Sequence, residues 1–152
     1  MIIENDYLEE IQRIWSNNNK GYISYECNQR SIKDKDMLKV VYKEKDSVYG
    51  YAVLYFGKDF CDLEGYPNKV INMPEKIAYI WEIVTDINHL KEGVATSILK
   101  YIKTKYKGHI IYSCINLSNI PSLKLHSKMD FKTIYEFKGN NNSEYAMMEL
   151  KL

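Results

Sequence analysis

The chain has 152 residues, of which 45% are hydrophobic and 27% charged, and its 21 basic and 20 acidic side chains give a net charge of +1. This length fits one domain over residues 1–152 with a buried core, and the composition argues against a disordered or membrane-spanning protein. The near-neutral charge also argues against a general nucleic-acid or membrane-binding surface.

The first predicted element is an amphipathic helix. Asp6 followed by Glu9 resembles a helix-opening capping box, and apolar residues at helical spacing extend the pattern over residues 6–15. The segment 22–36 is poorly periodic and allows only a short second helix or an irregular cover.

Strands and a loop are predicted in the middle of the chain. Residues 38–44 and 48–56 are rich in β-branched and aromatic side chains, and the turn between them predicts an antiparallel hairpin. Residues 57–75 contain Gly, Pro and Asn at short intervals, which is typical of a long loop that either covers a site or is disordered.

The C-terminal half alternates strands with helices. In chain order the predicted elements are a central strand at 77–85, a helix that opens at Gly93 and stops at Gly108, a central strand at 109–115, a helix at 121–129, and a hairpin of 131–137 with 145–150. This order of elements predicts an α/β sandwich built on a mixed sheet.

The three cysteines indicate in which cellular compartment the protein is expected. Cys27, Cys61 and Cys114 are odd in number and show no CxxC spacing, so we interpret them as reduced thiols of a cytoplasmic protein. A disulfide framework, a zinc site or any other metal is not expected. The N-terminus lacks the basic segment and apolar core of a secretory signal, and no apolar run approaches the roughly 20 residues of a membrane span.

The turn after the strand at 77–85 is a candidate anion site. The first N–H groups of the following helix, at Gly93, Val94 and Ala95, have no partner within the helix. Glycine and alanine matter here because a larger side chain would keep a phosphate from the backbone. Lys91 adds a cation beside the turn. The alternative is that Gly93 merely lets a tight loop enter a helix.

A second candidate is the stretch of residues 119–131. Asn119 and Ser118 can cap the helix, Pro121 suits its first turn, and Ser122 and His126 lie on adjoining faces. His126 could give or take a proton near neutral pH. The alternative is a partly exposed helix histidine without a catalytic role.

These two stretches resemble motifs of the GNAT-type N-acetyltransferase superfamily, whose members transfer an acetyl group from acetyl-CoA to an amine. The resemblance covers residues 77–131 well and the remainder in element order. In that family a strand leads into an Arg/Gln-x-x-Gly-x-Gly/Ala loop whose amides hold the CoA pyrophosphate. Here Leu90 stands at the Arg/Gln position and Lys91 at that of a frequent glycine, and both are departures from the family pattern.

The second family motif is the more specific match. Its pattern, Asn-x-x-Ser/Ala-x-x-x-Tyr-x-Lys-x-Gly-Phe, is matched at Asn119, Ser122, Lys128 and Phe131. His126 stands where the tyrosine usually is, and Asp130 stands where the glycine usually is.

The resemblance implies a fold, a cosubstrate and a set of site residues. The fold is GNAT-like α/β (α+β), with a mixed, mostly antiparallel sheet, central splayed strands and helices on both faces, and the donor is acetyl-CoA. Glu82 is the expected general base and His126 the expected acid. The expected cofactor contacts are Ile83, Val84, Thr85, Lys91, Glu92, Gly93, Val94, Ala95, Thr96, Asn119, Ser122 and Lys128.

The resemblance leaves the acceptor open, as a primary amine of a small molecule or peptide, while nucleic-acid and membrane partners are not expected. Homodimers are common in the family. Two alternatives stay open: a degenerate acyl-CoA-binding or regulatory module without turnover, which Leu90 and Lys91 favour, and an α/β interaction domain that binds no CoA.

Overall fold

The computed structural model describes residues 1–17, 31–70 and 72–151. The strands are β1 (Ile2–Glu4), β2 (Leu38–Glu44), β3 (Ser47–Tyr55), β4 (Ile77–Thr85), β5 (Ile110–Asn116), β6 (Lys132–Lys138) and β7 (Glu144–Lys151). The helices are α1 (Leu8–Asn17), α2 (Phe60–Glu64), α3 (Val94–Lys105) and α4 (Ile120–Lys128), with a 3₁₀ turn at Ile87–His89. None of the helices in the described part is both long and apolar enough to span a bilayer.

These strands form a sheet in the order β1-β2-β3-β4-β5-β7-β6. β4 pairs with β5 in parallel, whereas the pairs β1–β2, β2–β3, β5–β7 and β6–β7 are antiparallel. The predicted fold class, a mixed and mostly antiparallel sheet flanked by helices, is thereby confirmed.

The chain consists of two compact units. The first contains Met1–Tyr55 and Trp81–Lys105, and the second contains Phe56–Ile80 and Tyr106–Leu152. β4 therefore gives its residues 77–80 to the second unit and its residues 81–85 to the first. The single domain expected from the sequence stays a prediction.

In the first unit, α1 and α3 both pack on the sheet. Ile11, Ile14 and Trp15 form the buried face of α1, as their spacing of three and four residues requires. Gly50 on β3 allows α3 to approach closely, because a Cβ added there would lie only 2.6 Å from Val94 Cγ1. The first turn of α3 therefore rests directly on the strand.

In the second unit, β5 is the central strand, with β4 on one side and β7 on the other. The parallel pairing joins residues 77–80 of β4 to residues 110–113 of β5 and ends there. The short helix α2 packs on these strands through Phe60, whose ring stacks on Tyr79 at 4.4 Å between centroids.

Most predicted elements lie within two residues of their observed bounds, and the differences are at the first helix, β1 and α2. The helix predicted at 6–15 begins at Leu8, because Asn5 and Tyr7 have φ values of 54° and 62°, outside the right-handed helical region. β1 was not predicted, and α2 lies inside the predicted loop at 57–75. Most of the poorly periodic segment 22–36 lies outside the described residues.

Candidate active site

Glu82 is a buried carboxylate on β4, with 2% of its surface exposed. The hydroxyl of Tyr51 donates a hydrogen bond to its Oε2 at 2.7 Å, and the hydroxyl of Ser31 donates to its Oε1. A buried charge is costly unless hydrogen bonds compensate for lost hydration, and both of these donors do so. An ionised carboxylate only accepts hydrogen bonds, which is the property that a general base requires.

The three residues that follow Glu82 form the end of β4. Ile83, Val84 and Thr85 are half-buried, whereas the six residues from Ile77 to Glu82 are all buried. The parallel ladder with β5 covers only residues 77–80 of β4. This part of the strand is where the resemblance places the pantetheine arm.

Asp86 anchors the turn that leaves β4. Its N–H donates to the carbonyl of Tyr49 at 2.8 Å, its Oδ1 accepts from Asn88 N–H at 3.0 Å, and its Oδ2 accepts from Arg13 at 2.8 Å. Burial raises the pKa of this carboxyl, but the Asn88 N–H and the Arg13 guanidinium outweigh burial and hold the pKa below its usual value. The turn thus begins from a fixed, ionised residue.

The candidate anion turn continues from Leu90 to the start of α3. Lys91 and Gly93 have φ values of 63° and 79°, and a Cβ added at Gly93 would meet nothing within 4 Å. The left-handed conformation costs about 1–2 kcal/mol at a non-glycine residue such as Lys91. The Gly93 carbonyl accepts from Ser97 N–H at 2.9 Å, so the N–H groups before Ser97 are those that an α-helix leaves without internal acceptors.

His89 and Glu92 flank the middle of this turn. The His89 ring stacks on Tyr49 with 3.5 Å between centroids and 9° between planes. Its Nδ1 lies 2.7 Å from Glu92 Oε2. The family's Arg/Gln position, Leu90, is a 43% exposed apolar side chain and supplies no charge to the turn.

In the second unit, Asn119 caps α4 as the sequence predicted. Its Oδ1 accepts from Ser122 N–H at 3.4 Å, and Pro121 occupies the first turn. Ser122 is half-buried, and Lys128 is exposed near the end of the helix.

His126 is fully buried between α4 and β5, with 0% of its surface exposed. Its Nδ1 lies 2.8 Å from the Ser122 carbonyl, which can only accept, so Nδ1 carries a proton. Its Nε2 lies 3.1 Å from Ser113 Oγ, which can donate to a neutral ring. Burial lowers the pKa of His126, although the bond to Ser122 acts in the opposite direction. These contacts favour the neutral imidazole.

Asp130 occupies the position after the α4 cap where the family usually has glycine. Asp130 has a φ of 73°. The Phe131 N–H donates to the His126 carbonyl at 3.0 Å, and the Asp130 N–H donates to the Ser127 carbonyl at 3.1 Å. This is a Schellman motif, which explains why a glycine is favoured there.

Of the three cysteines, two lie in the described residues, both in the second unit. Cys61 is buried in α2 with its Sγ 3.9 Å from the Tyr135 hydroxyl, and Cys114 is partly buried on β5. Burial raises the pKa of both thiols. Cys27 lies outside the described residues.

The predicted site residues divide between the units. The first unit contains Glu82, residues 83–85 and residues 91–96, and the second contains Asn119, Ser122, His126 and Lys128. The residues that support the predicted site residues of the first unit were missed by sequence reasoning. They are Arg13, Ser31, Gly50, Tyr51 and His89. For Gly50 there was a signal, because an isolated glycine in a strand often marks a close backbone approach.

A profile of the acetyltransferase (GNAT) family matches residues 4–131. The chain belongs to this family. The N-alpha-acetyltransferase of Saccharolobus solfataricus is 26% identical over 98 residues, which are 62% of this chain and 56% of that protein. The match therefore spans little more than half the length of this relative.

Two solved structures show the same fold. The ribosomal-protein-S18-alanine N-acetyltransferase of Escherichia coli superposes with a TM-score of 0.72 at 11% identity, over 99% of this chain and 93% of that one. Arabidopsis thaliana NAA60 in complex with acetyl-CoA gives a TM-score of 0.71 at 13% identity over 100% of both chains. At these identities the likeness establishes the fold alone.

Proposed function

We propose that the chain is an acetyl-CoA-dependent N-acetyltransferase that transfers an acetyl group directly, within a ternary complex, to a primary amine of a small molecule or peptide. The observation that carries this proposal is the arrangement along β4 and α3 in the first unit. A buried, hydroxyl-bonded Glu82 is followed by half-buried strand residues and then by a turn that opens onto a helix N-terminus. The family match over residues 4–131 supports the same conclusion.

The turn fits the diphosphate of CoA. The N–H groups at the start of α3 and the helix dipole favour an anion, and Lys91 adds a positive charge. The open space beside Gly93 leaves room for a phosphate near the backbone. The backbone groups of residues 83–85 would pair with the pantetheine arm like an added strand.

Acetyl-CoA supplies an activated thioester, so the protein needs no covalent intermediate of its own. Glu82 would accept a proton from the acceptor ammonium, through a water molecule, and Tyr51 and Ser31 would keep its carboxylate in place. A backbone N–H of β4 would stabilise the negative charge that develops on the acetyl oxygen. The remaining contribution is positioning of the two substrates.

The proposal assigns His126 a separate role as the acid that protonates the CoA thiolate when the bond between the acetyl group and the sulfur breaks. The ring would have to become positively charged inside a buried pocket where its Nδ1 and Nε2 already contact Ser122 and Ser113. If His126 is the acid, His126→Gln lowers kcat by about 10²–10⁴-fold. If it only ties α4 to β5, the same variant lowers the melting temperature and leaves kcat largely unchanged.

The names of two relatives support peptide α-amines as the acceptor class. The S. solfataricus relative is named an N-alpha-acetyltransferase and the E. coli structure an acetyltransferase of a ribosomal-protein alanine, so peptide α-amines are the first acceptors to test. The cytoplasmic location and a homodimer belong to the proposal as well. Fractionation of cells and light scattering of the purified protein check them.

The test is calorimetric titration with acetyl-CoA and with CoA. We expect micromolar binding that Gly93→Asp abolishes, because the variant puts a carboxylate into the anion turn. Gly65→Asp is the matched control, since Gly65 also has a positive φ of 72° and nothing within 4 Å of an added Cβ, but lies at the end of α2. This control should bind like the unaltered protein.

Absence of binding by the unaltered protein would overturn the proposal. If acetyl-CoA binds, a mixture of peptides with free N-termini is incubated with the protein and analysed by mass spectrometry for the gain of one acetyl group. Binding without turnover of any peptide or small amine would instead support the regulatory module.

A further inference from the structure

The turn that would hold the CoA diphosphate contains a clamp that the family motif does not include. His89 is held from two sides, by the stacked ring of Tyr49 on β3 and by the carboxylate of Glu92 three residues further along the chain. Tyr49 is itself fixed, because its carbonyl accepts the Asp86 N–H at 2.8 Å. The clamp therefore connects the turn to the sheet.

The contact between His89 and Glu92 joins the two residues that flank Leu90 and Lys91 in the sequence. Lys91 has a φ of 63°, a conformation that glycine adopts readily and that lysine adopts only under constraint. In the family pattern a glycine frequently stands at this position. A turn with lysine there needs an additional constraint, and the clamp is placed to provide it.

The clamp also fixes the direction of the Glu92 carboxylate, which lies beside the turn. Glu92 is the residue before Gly93, and a free carboxylate at this point would repel a diphosphate. Its contact with His89 at 2.7 Å keeps that carboxylate directed to the imidazole. The side chains of His89 and Glu92 are 25% and 52% exposed, so their contact adds little to global stability.

We propose that His89 is a positioning residue for cofactor binding, which holds Leu90 and Lys91 in the conformation that presents their backbone to the CoA diphosphate. This inference rests on the proposed function and extends it to a residue outside the family motif. His89 acts through the turn and does not itself touch the reacting atoms.

The test measures the dissociation constant for acetyl-CoA by calorimetry in a double-mutant cycle. His89→Ala should raise the constant about tenfold, which corresponds to about 1.4 kcal/mol. In a Lys91→Gly background the same change should raise it less than about threefold, because glycine adopts the positive φ without the clamp. Tyr49→Phe keeps the stacked ring and should bind within about twofold of the unaltered protein.

A kinetic readout separates positioning from general damage. His89→Ala should raise the KM for acetyl-CoA and leave kcat at saturating acetyl-CoA nearly unchanged. If His89→Ala does not fold, Tyr49→Leu removes the stack from the side of the sheet and should give the same pattern.

Two results would overturn the inference. One is an unchanged affinity in His89→Ala, and the other is an equal loss in the Lys91 and the Lys91→Gly backgrounds, which would show that the turn conformation is not involved. Either result leaves the proposed function standing as long as the unaltered protein binds acetyl-CoA. Failure of the unaltered protein to bind would contradict the proposed function itself.

Discussion

Gly50 on β3 offers a direct test of how the sheet supports the cofactor turn. A Cβ at this position would lie 2.6 Å from Val94 Cγ1, 3.0 Å from the Val84 carbonyl oxygen and 3.4 Å from Thr85 Cα. Two of these neighbours are backbone atoms of β4, and the third belongs to a short β-branched side chain with little rotamer freedom. In Gly50→Ala, we therefore expect α3 to move away from the strand.

The energetic cost can be worked out from this geometry. Overpacking of a buried position costs about 1–3 kcal/mol, and replacement of a strand glycine by alanine recovers about 0.5–1 kcal/mol. The difference between these two ranges is a net loss of up to about 2.5 kcal/mol in the free energy of unfolding. For a chain of this length, that loss lowers Tm by up to about 8 °C.

The effect on acetyl-CoA binding should exceed the effect on stability. Displacement of Val94 moves the first N–H groups of α3, and an ångström of misplacement can cost about a hundredfold in function. We expect the dissociation constant, measured by calorimetry, to rise between about tenfold and a hundredfold. Adding Val94→Ala removes the clashing methyl group and should restore part of the affinity.

Gly139→Ala is the control for crowding at a site away from the cofactor turn. Gly139 lies between β6 and β7, and its added Cβ would lie 2.8 Å from Tyr145 Cε2. This variant should lower Tm and leave the affinity for acetyl-CoA unchanged. If Gly50→Ala binds acetyl-CoA as the unaltered protein does, the contact between Gly50 and α3 does not position the turn, and the reasoning fails.

Three further predictions concern single residues. Glu82→Gln should lower kcat by about 10²–10⁴-fold and leave the affinity for acetyl-CoA within about twofold; a kcat within threefold of the unaltered enzyme would remove Glu82 as the base. His126 has a pKa below its usual 6.5, so the unfolded state binds the additional proton and stability decreases as the pH falls from 7 through 6.5. Urea titrations at pH 7.5 and 5 should show a smaller loss in His126→Gln, and an equal loss in both proteins would contradict this account. Asp130→Gly should raise Tm by about 1–2 °C, since glycine relieves the left-handed strain but costs more entropy on folding, for a net gain of about 0.5 kcal/mol; a lower Tm would show that the carboxylate has contacts worth more than the strain.

Elements with a strong local pattern could be predicted from the sequence. β4 is a nine-residue apolar strand followed by a glycine turn, and α3 shows a regular apolar stripe, so both elements and the turn between them were found. Asn119 was identified as a cap because its side chain, the proline and the spacing all agree. β1 and α2 have only three and five residues, too few to show a period.

The residues that support the site depend on contacts distant in sequence. Tyr51 is 31 positions from Glu82, and Arg13 is 73 positions from Asp86, so no local pattern indicates either pair. His126 shows the opposite limitation. Its position in the motif was recognised, but the alternative of a partly exposed helix histidine is wrong about exposure. None of the surface of His126 is exposed, and its ring packs against Phe131.

The raised pKa values of Cys61 and Cys114 have a consequence for handling the protein. Disulfide exchange and alkylation require the thiolate, and burial keeps these two sulfurs protonated at neutral pH. An acetyltransferase releases one molecule of CoA with a free thiol in every turnover. A thiol-reactive dye should therefore detect the released CoA well before it labels either of these cysteines in the folded protein.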